Sequence, residues 1–139
     1  MRFVRIGLLI VIVGALGLVR VDTSNAAPSP QVASGIPPFV WSLTSFPGVG
    51  AMAEPGRYTV QFMVDGTVAV GVDCNRAAGV WSGGEGAIDI TVTLSTLALC
   101  PEGSLGDPFV QALDAVTGYT LAGGSLTLHG AAGDMTFTA

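Results

Sequence analysis

From Phe39 onward, apolar and polar side chains alternate with a period of two, the pattern of half-buried strands. Arg57–Val64 places Tyr58, Val60, Phe62 and Val64 on one face and Thr59, Gln61 and Met63 on the other. Asp65-Gly66 follows, two residues that tolerate positive φ and so predict a hairpin. The return strand puts Val68, Val70 and Val72 on one side, and a third strand alternates Ile88, Ile90, Val92 and Leu94 with Asp89, Thr91 and Thr93. Near the C-terminus, Tyr119–Ala122, Gly123-Gly124 and Ser125–His129 read as another hairpin, and a turn at Gly130–Gly133 leads into a last strand, Asp134–Thr138. Phe39–Thr44, with Trp41 and Leu43, is the expected opening strand. One segment changes period. Asp107-Pro108 supplies an N-cap and the proline favoured at the first helical position, Phe109, Val110, Leu113 and Val116 recur on one helical face, and Gly118 is the expected stop. The fold class is therefore mainly β with one helix.

The first residues follow a different logic. Arg2 and Arg5 precede the uninterrupted apolar and glycine run Ile6–Val19, and Ser24-Asn25-Ala26 offers small residues at a cleavage junction. This reads as a secretory signal over residues 1–26. The run is shorter than the roughly 20 residues that cross a bilayer. Residues 27–38 hold four prolines and no charge or aromatic ring, the composition of a linker, and leave 39–139 as the folded domain.

Composition narrows the chemistry. Of 139 residues, 50% are apolar and only 11% charged, with 5 basic against 10 acidic. Two cysteines and one histidine fall short of a four-ligand Cys/His zinc set. Beyond residue 26 only Arg57 and Arg76 face nine carboxylates, a balance that repels polyanions and argues against a nucleic-acid partner. In an exported chain Cys74 and Cys100, each at the end of an expected strand, form a disulfide. The competing reading is a redox pair or metal-binding thiol, but no Cys-x-x-Cys motif is present.

The residues around the cysteines resemble a family. Asp65-Gly66, Cys74-Asn75 with Gly79 and Trp81, and Thr96-Leu97-Ala98-Leu99-Cys100 are similar to the META domain, the family of the bacterial heat-shock protein HslJ. Upstream Trp41-Ser42-Leu43 fits the family's opening Trp-x-Leu. Downstream Phe109–Leu113, Val116, Tyr119, Leu121, Leu126 and Leu128 fit its helix and closing hairpin. One departure is Asp73, where the family commonly has glycine. Many members are lipoproteins, whereas this chain has no cysteine at the expected cleavage junction. The resemblance implies a small curved antiparallel sheet, barrel-like, packed on a single α-helix. It also implies an envelope or secreted protein with a link to stress tolerance, and no catalytic residue.

Candidate sites are few. His129 follows the inward Leu128 and is expected to be a solvated surface residue. No Gly-x-Ser-x-Gly occurs, since Glu102 stands where the first glycine of Glu102–Gly106 would be needed. Glu54, Asp65, Glu85 and Asp134 fall at expected turns. Asn75 at a strand end can hydrogen-bond two loop backbone groups at once. Trp41 and Trp81 are either core residues or the walls of a ligand groove. The threonine rows (Thr59; Thr91, Thr93; Thr136, Thr138) form a neutral sheet surface or an edge able to add a partner strand. No catalytic group, cofactor or metal is expected. The leading function is a monomeric, exported, non-catalytic module, periplasmic or extracellular, with no stable membrane span after cleavage, that binds an envelope protein or small ligand. The alternatives are a disulfide-braced inhibitor of a protease or lysozyme, acting through residues 82–87 or 101–107, and a carrier holding a small apolar ligand within the valine rows.

Overall fold

The alternating segments pair in the order in which they occur. The computed structural model describes residues 35–139, so the expected signal segment lies outside the described residues. The elements are β1 (Trp41–Phe46), a short β2 (Gly50–Ala51), β3 (Tyr58–Phe62), β4 (Thr67–Val72), β5 (Asn75–Gly84) and β6 (Ala87–Ser95). After them come α1 (Gly106–Asp114), β7 (Val116–Ala122), β8 (Ser125–Gly130) and β9 (Gly133–Thr138). All pairings are antiparallel, and β9 returns to β1, so that β1 and β3–β9 close an eight-stranded barrel. β2 extends the edge of β1 beside β3. Closure leaves β9 paired on both sides, with Thr138 opposite both Ser42 and Ser125, so of the two readings of the threonine rows the free edge is absent at Thr136 and Thr138. The seam between β6 and β7 is held at a single pair, Ala87 with Gly118. There Asp114, at the end of α1, accepts the Val92 N–H at 2.8 Å.

Inward rows from every long strand meet in one cluster that includes Leu43, Val60, Phe62, Val70, Ile90, Leu128 and Phe137. An eight-stranded barrel is just wide enough for such side chains to fill it. α1 stops one end. Phe109 enters the barrel mouth with its ring centroid 5.4 Å from Tyr58 and 6.4 Å from both Phe46 and Phe137. Tyr58 turns its hydroxyl outward to accept the Leu105 N–H at 2.7 Å, tying the start of the helix to β3. At the opposite end Trp81 packs edge-on against Phe62, centroids 4.9 Å apart, and the chain entry contributes the buried Ile36.

Several local expectations shift. Asp65-Gly66 is part of a longer loop, in which Gly66 N–H bonds to Met63 O and only Gly66 has positive φ, at 87°. This is a turn closed by a left-handed glycine, and it carries Val64 out of the strand into solvent. Leu94 is 65% exposed because the β5–β6 register shifts between Ala78 and Gly79, which reverses the facing of residues beyond Val92. At that bulge a Cβ on Gly79 would fall onto the Thr91 carbonyl oxygen, so glycine is required. Asp107 lies within the first turn of α1 rather than capping it; Leu105 holds the cap position with no side-chain bond. The helix ends at Asp114, and Gly118 belongs to β7, where a Cβ would come within 3.2 Å of the Gly86 carbonyl oxygen in the β5–β6 turn.

Candidate functional site

The β4–β5 hairpin turns through only two residues, Asp73 and Cys74, between the paired Val72 and Asn75. Asp73 adopts φ 58°, the left-handed conformation that favours glycine. Its carboxylate has a use that glycine would not supply. Arg57 Nε donates to Asp73 Oδ1 at 2.7 Å, and Arg57 Nη1 donates to Glu54 at 2.7 Å. Burial works to raise the Asp73 carboxyl, but the Ser104 hydroxyl and the Arg57 guanidinium outweigh it and hold the group below the usual carboxylate range. A carboxyl lowered on folding stabilises the fold fully above its unfolded value of about 4 and loses that contribution as the pH falls through the folded value. Asp73→Asn keeps a residue that tolerates positive φ. Its denaturation midpoint should therefore lie below wild type at pH 7, and the gap should close in acid. A gap of the same size at pH 7 and well below pH 4 would contradict this account.

Cys74 is bonded to Cys100, with Cα atoms 5.5 Å apart. The bridge joins the β4–β5 turn to the segment Thr96–Cys100, which runs between β6 and α1. Asn75 completes the attachment. Its Oδ1 accepts the Ala98 N–H at 2.7 Å while its Nδ2 donates to Ala98 O at 2.9 Å and lies 3.4 Å from Cys100 Sγ. The Thr96 hydroxyl donates to the same Oδ1 at 2.8 Å, and Thr96 N–H bonds to Arg76 O at 2.9 Å. A side-chain amide thus plays the part of a neighbouring strand for one residue. Above this anchorage Leu97 and Leu99 are 94% and 100% exposed. Large apolar side chains are normally sheltered, and here two stand exposed together on one braced segment. An open cleft of about 360 Å³ separates the segment from α1 and is bordered by Val72, Asn75, Leu97, Val110 and Gln111.

The other candidates are placed elsewhere. Trp41 and Trp81 are both buried, with indole N–H groups donating to Pro37 O at 3.1 Å and Met63 O at 2.9 Å. Both belong to the core cluster. The valine rows of β3 and β4 pack within the common core, where a carrier would need open space. Residues 82–87 form no projecting loop: Gly84 pairs with Ala87 around the two-residue turn Glu85-Gly86. His129 is outward-facing as expected but has partners on either side. Its Nδ1 lies 2.8 Å from Asp134 Oδ1 and its Nε2 lies 2.8 Å from Thr120 Oγ1. This hydroxyl–imidazole–carboxylate chain crosses β7, β8 and β9 on the outer face of the barrel. The His129 and Asp134 side chains are 41% and 63% exposed, so the group lies open to solvent. The turn at Gly130–Gly133 already implies the pairing of His129 with Asp134, and that was the available signal. Among the described residues no three His, Cys, Asp or Glu side chains cluster to hold a metal ion, and no helix is long and apolar enough to cross a membrane.

These features define a class: a closed antiparallel barrel stopped by one helix, with a disulfide and an asparagine amide holding one exposed segment against its mouth. The sequence model of the META domain matches residues 38–139, and the chain belongs to the META domain family. Two solved structures share the fold. A DUF4847 family protein from Bacteroides vulgatus superposes with TM-score 0.56 at 16% identity, covering 78% of this chain and 94% of its own. A protein from Burkholderia xenovorans solved by NMR gives TM-score 0.56 at 18% identity, covering 80% of this chain and 94% of its own. No curated protein sequence matches the chain.

Proposed function

We propose that this chain is an exported, non-catalytic META-domain binding module that contacts a partner protein in the cell envelope through the segment Thr96–Cys100. The observation that carries the reading is the contrast within that segment: Leu97 and Leu99 are 94% and 100% exposed on a backbone tied down at Thr96, Ala98 and Cys100. A surface ordered before contact loses little conformational entropy on binding, so two leucines held this way make a stronger contact than two on a free loop. The signal-like residues 1–26 and the disulfide both support export. The acidic surplus keeps such a protein soluble outside the cytosol.

Chemical cross-linking in an envelope extract from the source cells tests the reading. The wild-type chain is expected to form a discrete cross-linked species, which Leu97→Ser with Leu99→Ser should abolish. Val64→Ser, on an exposed residue in the β3–β4 turn, should leave it intact. Equal yields from all three proteins would refute the reading.

A further inference from the structure

The segment Thr96–Cys100 has two different edges. Both main-chain groups of Ala98 are turned inward, where Asn75 Oδ1 and Nδ2 engage them at 2.7 and 2.9 Å. In an extended chain, successive residues direct their N–H and C=O groups to opposite sides. Thr96 N–H bonds to Arg76 O and both groups of Ala98 bond to Asn75, so every second residue of the segment engages β5 and the groups of Leu97 and Leu99 between them are left on the other side. Among the described residues no main-chain hydrogen bond engages Leu97 or Leu99. The outer edge therefore offers an unpaired N–H and C=O at Leu97, an unpaired N–H at Leu99, and two fully presented leucine side chains.

Resting on the reading above, we propose that Leu97–Cys100 is a substrate-like inhibitory loop for a serine protease with an apolar specificity pocket. Leu99 fills that pocket, and the main chain of Leu97 adds to the protease as an extra strand. Proteases of this kind combine strand addition along the substrate backbone with a pocket for the side chain preceding the scissile bond. The peptide bond presented is Leu99–Cys100. Attack by the protease serine would acylate it with the Leu99 carbonyl and release the Cys100 amine. Water would then have to displace the enzyme to complete hydrolysis. The released amine cannot leave, because Cys100 is bonded to Cys74 on the other product fragment and Asn75 holds Ala98. An amine kept beside the acyl group re-forms the peptide bond with the advantage of an intramolecular reaction. The protease stays occupied, and the segment behaves as an inhibitor instead of a substrate.

The test uses the full, disulfide-bonded chain with chymotrypsin, whose pocket is apolar, and trypsin, whose pocket is acidic. Wild type should inhibit chymotrypsin competitively. Leu99→Gly should weaken that inhibition about 100-fold, the scale of a lost central anchor. Leu99→Arg should move inhibition to trypsin. Leu99 is fully exposed, so thermal melts of these variants should match wild type. Asn75→Ala keeps both leucines but frees Ala98, and it should be cut by chymotrypsin faster than wild type. Absence of inhibition by both wild type and Leu99→Arg, or rapid turnover of the wild-type chain, would overturn the inference. If the cross-linked species above were still lost with Leu97→Ser and Leu99→Ser, the binding reading would survive that failure. If it were unaffected, both would fall together.

Discussion

Replacing Phe109 with alanine is expected to destabilise the domain by about 3–5 kcal/mol, the range for truncating a buried aromatic in a packed core. The ring is completely buried and touches residues from three strands: Phe46 of β1, Tyr58 of β3 and Phe137 of β9. These strands lie on the far side of the barrel from the β6–β7 seam that the helix bridges, so the ring, with the Leu105–Tyr58 hydrogen bond, couples α1 to the wall opposite that seam. Its removal leaves a cavity at the barrel mouth that the paired strands cannot close by moving inward. Urea unfolding followed by tryptophan fluorescence, with Trp41 and Trp81 as buried reporters, would measure the effect. A loss below about 1 kcal/mol would show that the helix is an accessory to the barrel rather than its stopper.

The second large effect belongs to the disulfide. Changing both Cys74 and Cys100 to serine should cost about 3.5 kcal/mol on the chain-entropy estimate, because the bridge closes a loop across a sequence separation of 26. The loss has a local consequence too. Asn75 alone would remain to hold Ala98, and Cys100 would be free to swing with the loop that leads to α1. The double variant should therefore melt at lower temperature and also expose the peptide bonds of residues 96–101 to proteolysis under conditions where the barrel is still folded. Wild-type protein treated with reductant should reproduce both effects. An unchanged cleavage rate in that segment would mean that the asparagine amide suffices to brace it.

Much of the architecture was legible from side-chain periodicity. β3, β4, β8 and β9 each place apolar residues inward at every second position, and the helix announces itself by the change of spacing around Phe109. β5 was hidden. Its inward positions include Ala77 and Gly79, which carry little apolar surface, and Gly83 and Gly84 read as loop. The glycine at 79 is present because β6 approaches too closely for a Cβ, a tertiary demand that no local pattern announces. The parity error at Leu94 has the same origin: one residue inserted by a bulge reverses the facing of all that follow. At the site, Cys74, Cys100 and Asn75 were visible as residue types at strand ends. The orientation of Leu97 and Leu99 was not, because apolar side chains next to a cysteine suggest burial, and only the Asn75–Ala98 pairing turns them outward. Asp73 illustrates a further limit. The departure from the glycine that the resemblance implies is apparent in the sequence, but the partner of its carboxylate is Arg57, in the turn just before β3.

Amide hydrogen exchange resolved at single residues is the most direct measure of how the segment is held. After correction for intrinsic rates, the Ala98 N–H should exchange slowly, protected by Asn75 Oδ1, while the N–H groups of Leu97 and Leu99 on either side exchange at nearly the rate of free peptide. Three equally fast amides would show a mobile loop that presents nothing, and three equally slow ones a covered strand with no edge to offer. Either result would contradict the account given of this site.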